Sequence, residues 1–174
     1  MITTTQIGLV AENLVTNKLV IASKGRLAPF RPVADDYGID LLLYDKLTGR
    51  ALPLQVKART NTLKKSGRAE RGKTVHFEIR EVALRQKGIT RLLAVLLDEE
   101  MTTIRCGWMI PLVTFEQIAA KRGKKFVIRP SSSETSKDKF RSYYFQSFST
   151  LVEGLLAEFE RFDPAFPARI RALH

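Results

Sequence analysis

The sequence predicts one mixed α/β domain, a central mixed β-sheet flanked by helices, and three observations carry that expectation. A capped amphipathic helix opens the chain, short segments with two-residue periodicity fill the middle, and a second amphipathic helix closes it. At 174 residues, 44% of them hydrophobic, the chain has the size of a single domain (1–174) that buries a core without staples. No internal repeat and no composition shift marks a boundary.

Each element has its own warrant. Thr3 followed by Gln6 has the spacing of a capping box. Ile7, Val10, Ala11, Leu14 and Val15 then recur at helical spacing. Gly25 offers a stop, although the run Leu19-Val20-Ile21 blurs the end. Leu27 to Val33 reads as a short strand, and Pro29 and Pro32 confine it to an edge or a bulge, since proline cannot donate to a ladder. Ile39 to Tyr44 is an apolar run of the kind buried on both faces of a sheet. Asp45 to Arg50 supplies turn chemistry. Leu52 to Arg59 alternates, with Leu52, Leu54, Val56 and Ala58 on one face and Pro53, Gln55, Lys57 and Arg59 on the other.

Residues 60–73 form a basic loop, after which Val75, Phe77 and Ile79 alternate as a strand. Arg91 to Leu97 and Thr103 to Ile110 make a further pair around Asp98-Glu99-Glu100. Leu112 to Lys121 reads as a helix, and Lys125 to Arg129 and Phe140 to Gln146 as strands. The serine-rich stretch between them, Pro130 to Lys139, is expected to be a mobile loop. Leu151 to Phe162 closes the chain as a helix that ends near Pro164.

Charge narrows the partners. Lys and Arg number 29 against 18 Asp and Glu, a formal net charge of +11. Such an excess attracts polyanions, so nucleic acid or an anionic membrane surface is the expected partner, with a generic basic protein as the bland alternative. No run approaches the ~18 apolar residues of a membrane span. Met1 to Thr5 has no charged segment leading into an apolar stretch, so no signal peptide is expected and the cytoplasm is the expected compartment. The single cysteine, Cys106, excludes an internal disulfide, and its apolar setting from Ile104 to Ile110 marks a buried structural thiol.

The middle hairpin carries the chemistry. With its turn centred between Leu47 and Thr48, Asp40 faces Gln55, Ile39 faces Val56, Leu41 faces Leu54 and Leu43 faces Leu52. Apolar residues then pair on one side, which is what fixes a register. Asp40, Gln55 and Lys57 converge on the other, with Arg59 further along. A bulge at Pro53 would shift this by one. An acid, an amide and an amine so placed suit metal-assisted phosphodiester hydrolysis. Magnesium takes oxygen ligands and keeps several waters, and a neighbouring lysine orients water and stabilises developing charge.

These residues resemble a known family. Gly8-x-x-Ala11-Glu12 on a first helix, Tyr37-Gly38-Ile39-Asp40-Leu41, and Leu54-Gln55-Val56-Lys57 look like the PD-(D/E)XK nuclease superfamily, in the Gln-x-Lys variant of Mrr-like enzymes. The resemblance covers about residues 6 to 60. It implies a restriction-endonuclease-like fold and a metal-dependent DNA endonuclease. It also implies a magnesium ion (manganese as substitute) held by Asp40, the Gln55 side chain and the Val56 carbonyl, with Lys57 as catalytic lysine and Glu12 as the first-helix acid. DNA is the implied partner, and a homodimer is an implied assembly, although no segment marks an interface. The departure from the commoner pattern is Gln55, which removes one anion and weakens metal affinity. A catalytically inactive nucleic-acid-binding protein on the same fold is therefore the alternative.

Each residue also has a plainer reading. Asp40 fits a cap or turn former. Gln55 and Lys57 fit an ordinary strand surface, and Glu12 a solvated helix face. Asp35 and Asp36 fit a loop as well as an auxiliary metal role. Arg59, Lys64, Lys65, Arg68, Arg71 and Lys73, with Lys57 before them, fit either a solvated loop or an arm gripping phosphates next to the site. Tyr143, Tyr144 and Phe145 suit a sheet core as well as base stacking. His76 and His174 lack partners for acid-base work, and Ser131 to Ser133 lack the context of a nucleophile.

Overall fold

The computed structural model describes residues 2–33, 38–67, 70–84 and 88–161. Helix α1 (Thr4–Ala22) opens on the anticipated capping box. The Gln6 N–H donates to Thr3 Oγ1 at 3.2 Å, and the Thr3 N–H donates to Gln6 Oε1 at 2.8 Å. It ends where Lys24 and Gly25 take positive φ (52° and 78°), so the blurred Leu19-Val20-Ile21 run is helical and glycine supplies the stop.

The strands are β1 (Leu27–Phe30), β2 (Leu41–Asp45), β3 (Arg50–Arg59), β4 (Phe77–Arg80), β5 (Arg91–Leu97), β6 (Ile104–Pro111), β7 (Ala120–Arg122), β8 (Lys125–Ile128) and β9 (Tyr144–Phe145). Helix α2 (Leu112–Ile118) follows β6, and α3 (Phe148–Arg161) follows β9. The central sheet has the order β1-β2-β3-β5-β6-β9 and is mixed, with β3 and β5 parallel and its other pairs antiparallel. A parallel pair needs a crossover. Here the basic loop, β4 and a 3₁₀ turn (Glu81–Leu84) supply it, and β4 leaves the sheet to join a second, antiparallel sheet β4-β8-β7.

The two faces of the central sheet bury different layers. On one, Ala11, Val15 and Leu19 of α1 and Leu151 and Leu155 of α3 pack on Leu41, Leu43, Leu54, Val56, Leu93 and Val95. On the other, Phe77 and Ile79 of β4, Phe115 of α2 and Phe126 of β8 pack on Leu92, Ala94, Trp108 and Ile110. Every residue of β5 from Leu92 to Leu97 is buried, because β5 is covered on both sides. Burial of a large aliphatic side chain contributes roughly 1.5–3 kcal/mol, so this double-sided strand anchors the domain.

Several expectations are corrected. Two-face burial belongs to β5 and not to the Ile39–Tyr44 run. Leu42 is exposed and Tyr44 half-buried, because the second sheet packs over β5 and β6 and β2 lies next to the edge strand β1. The Leu112–Lys121 helix stops at Ile118, and Ala120–Arg122 pairs with β8 instead, Ala120 opposite Val127. Phe140 to Gln146 divides into a 3₁₀ turn (Arg141–Tyr143) and the two-residue β9. The first strand ends at Phe30, before Pro32, at the sheet edge its prolines require. The last helix starts at Phe148, where Ser147 Oγ accepts the Thr150 N–H at 3.2 Å. Its expected end at Phe162 to Pro164 lies outside the described residues, as do Asp35, Asp36, Arg68 and His174.

Candidate active site

The hairpin register is the expected one. Leu41 pairs with Leu54 and Leu43 with Leu52, and Pro53 sits opposite Leu42 without a bulge. Pro53 is accommodated at the ladder position where its missing N–H costs no shift. The Asp40 N–H donates to Leu54 O at 2.9 Å, which extends the pairing one residue beyond β2 and sets Asp40 opposite Gln55.

The Asp40 carboxylate is fixed by the partner strand. Its Oδ2 accepts the Val56 N–H at 2.6 Å, a charge-assisted bond to the backbone between Gln55 and Lys57. Such a bond holds the side chain on β3 and selects its rotamer. Gln55 is 3% exposed, and its Oε1 is buried with no hydrogen-bond partner among the described residues. A buried carbonyl oxygen without a donor costs on the order of 1–3 kcal/mol, so its retention calls for an explanation by function. Gly38 makes the space for this amide. Its φ is +73°, and a Cβ built there would stand 2.8 Å from Gln55 Nε2. Glycine is required twice over at this position, by backbone and by contact.

The remaining site residues fall as follows. Lys57 is half-buried opposite Ala94 of β5, on the face that also carries Gln55. Among the described residues no hydrogen bond or ion pair engages its ammonium. Val56 points into the helix-covered core, as its alternation demands. Glu12 lies on α1, which covers the face opposite to Gln55 and Lys57, and its carboxylate stands 4.0 Å from the Arg31 guanidinium. Arg59 donates to Ala58 O at 2.9 Å and lies 6.0 Å from the Phe77 ring centroid, so it stays against the domain.

The basic loop has internal order. Lys64 bridges Arg71, Lys65 pairs with Glu70 at 2.6 Å, and Arg71 donates to Thr62 O at 2.7 Å. Lys73 reaches Ser133 Oγ at 3.3 Å. Cys106 is buried, and burial pushes its thiol up to about 11, which suits a structural residue.

No protein-family model matches the sequence, and no curated protein matches it. Among solved structures, the chain is similar to a bacterial homing endonuclease, I-Ssp6803I, at 17% identity and a TM-score of 0.56, over 92% of this chain and 99% of that one. The likeness thus spans the whole architecture and is not a shared fragment. The chain shares that structure's fold, a central mixed sheet flanked by helices. A Holliday junction resolvase, Hjc of Archaeoglobus fulgidus, is also similar, at 15% identity and a TM-score of 0.44, over 70% of this chain and 85% of that one.

On this fold the acid stands just before β2, and the amide and lysine alternate along β3. An oxygen-preferring cation fits the chemistry of that donor set: a carboxylate fixed on the strand and a buried amide oxygen with no donor among the described residues. What the sequence reading passed over is Gly38 as a structural requirement of the site. Its signal was available in the glycine two residues ahead of the acid.

Proposed function

We propose that the protein is a magnesium-dependent DNA endonuclease that hydrolyses phosphodiester bonds. One observation carries the reading: on a fold shared with a homing endonuclease, the Asp40 carboxylate is pinned to the Val56 N–H beside a buried Gln55 oxygen with no donor among the described residues. Asp40, Gln55 Oε1 and the Val56 carbonyl would hold the cation, which when bound offsets phosphate charge and lowers the pKa of a coordinated water. Lys57, on the same face, is suited to orient the attacking water and to stabilise charge developing on the phosphate. Glu12, over the opposite face of the sheet and 4.0 Å from the Arg31 guanidinium, is left outside this site. Arg59, Lys64, Lys65, Arg68, Arg71 and Lys73 are assigned to the phosphates of the DNA backbone, with positioning and not base readout as their part.

The test is a cleavage assay on plasmid, nicked and branched DNA with magnesium or manganese. Wild type should cut, and Asp40→Ala and Lys57→Ala should not, each variant retaining the native circular dichroism. Undiminished cutting by either purified variant sinks the site assignment.

A second reading, a DNA-binding protein without catalysis, has its own support. Among the described residues no group of three or more His, Cys, Asp or Glu is placed to hold a metal. Calorimetry with magnesium or manganese separates the two: a binding isotherm that Asp40→Ala abolishes favours the nuclease, and no isotherm in wild type favours the inactive binder.

A further inference from the structure

Strand β6 carries a feature that alternation along the chain conceals. Its pairing with β5 runs from Arg91 opposite Pro111 to Leu96 opposite Cys106, then steps to Leu97 opposite Ile104. Arg105 is the extra residue of that irregularity. Regular alternation would put Arg105 on the side of Met109, which belongs to the helix-covered core. A β-bulge re-aims the side chain it inserts. Here Arg105 is exposed and lines an open groove of about 620 Å³ together with Arg71 and Lys73 of the basic loop.

The opposite wall of that groove is the serine-rich loop, and it is fastened to the basic loop by several bonds. Thr74 bridges Ser131, and the Val75 N–H donates to Pro130 O at 2.9 Å. Ser132 donates to Lys73 O through its N–H at 2.7 Å and through its hydroxyl at 2.9 Å. Ser133 Oγ takes the Lys73 ammonium at 3.3 Å and lies 3.2 Å from Thr135 Oγ1. Asp138 closes the loop at its base, accepting the Ser131 N–H at 2.8 Å and the Phe140 N–H at 2.9 Å. The groove therefore presents three cations and four hydroxyl side chains, with those of Ser133 and Thr135 adjacent, against one acid, the exposed Glu134. Among the described residues no hydrogen bond or ion pair engages the Arg105 guanidinium.

We propose that this groove is a second seat for a DNA phosphate, with Arg105 as its anchor and the Ser133 and Thr135 hydroxyls as its neutral donors. The proposal rests on the reading of the protein as acting on DNA and adds a contact outside the basic loop itself. A guanidinium matches a phosphate with paired donors, and hydroxyls beside it add hydrogen bonds without further charge. The position is also apt. The strand bearing Gln55 and Lys57 runs straight into the basic loop, whose Thr62 lines the same groove.

The experiment measures the affinity of the full chain for a short DNA duplex by anisotropy, in buffer with EDTA, across a salt series. Each neutralised phosphate contributes about 0.9 to the slope of log affinity against log salt. Arg105→Ala should lower the slope by about that amount and weaken binding about tenfold near ~0.1 M salt. Arg105→Lys should keep the slope. Should the alanine variant lose its native circular dichroism, Arg105→Gln, which keeps much of the aliphatic stem, takes its place. Wild-type binding with an unchanged slope in the neutral variant overturns the groove and leaves the nuclease reading standing. Wild type without salt-dependent binding overturns both.

Discussion

Two aspartates bracket the same strand, one just before β2 and one at its end, and they are handled in opposite ways. Asp45 is fully buried and receives a bidentate pair from Arg26, at 2.8 and 2.9 Å, as well as the Thr48 hydroxyl at 2.7 Å and the Leu47 N–H at 3.2 Å. Arg26 in turn holds Glu160 of α3 at 2.6 Å, so the cluster ties the end of α1, the hairpin turn and the last helix together. Burial by itself pushes the Asp45 carboxyl up. The bonds from Arg26, Thr48 and Leu47, with the charge of Arg26, outweigh it and hold the group below its usual range. Asp40 instead is half-buried and is held by a backbone N–H next to a buried amide oxygen that has no donor among the described residues. An acid set against a guanidinium has its charge answered within the fold. An acid held by the backbone beside a buried amide oxygen is the arrangement on which the proposed cation site rests.

The sharpest way to break this contrast is to exchange the two losses. Asp40→Ala should cost at least ~10³-fold in cleavage rate yet change stability by about 1 kcal/mol or less in a denaturant titration. Asp45→Ala should do the reverse, destabilising by roughly 3 kcal/mol because it removes the buried, bidentate partner of Arg26, with the remaining folded protein still cutting. If both variants lose stability alike and neither loses the cut selectively, the contrast fails.

Glycine 38 gives the next largest effect. Gly38→Ala forces a side chain into positive φ and against the Gln55 amide, at a cost of about 1–3 kcal/mol. Cleavage should fall further than the lost stability accounts for, as read from rates normalised to folded protein.

Acid titration sharpens the Asp45 side. A folded pKa below the unfolded value of ~3.9 means that the stabilisation is present above that pH and is lost as pH falls toward the folded pKa. Thermal unfolding of wild type should therefore weaken more steeply below pH ~4 than that of Asp45→Asn. Equal slopes would mean the pair is not protecting the carboxylate.

The smallest effect belongs to the basic loop. Lys64→Ala should reduce the salt slope of DNA binding by about 0.9 and weaken affinity similarly across sequences. A change in sequence preference would indicate base contact instead.

Much of the fold was legible because its signals are local. The Thr3–Gln6 cap, the prolines that kept β1 at an edge, and the alternation of β3 each follow from neighbours in the chain. So did the hairpin register, since apolar pairing across one turn fixes it and with it the meeting of Asp40 and Gln55. What was misread depended on distant covering layers. Leu42 is exposed and the β5 residues doubly buried because of where the second sheet lies, and that sheet is assembled from segments far apart in sequence. Lys121 looked helical until its pairing with Phe126 was seen.

By itself the sequence determined the helix caps, the strand periods, the excess positive charge and the acid–amide–lysine hairpin, because each is set by sequence spacing or by counting. Tertiary structure decided that Asp45 receives the Arg26 pair, that the Gln55 oxygen is buried with no donor among the described residues, and where a bulge turns Arg105. Those outcomes depend on burial and on partners brought together by long-range pairing, and neither quantity is written in any local stretch of residues.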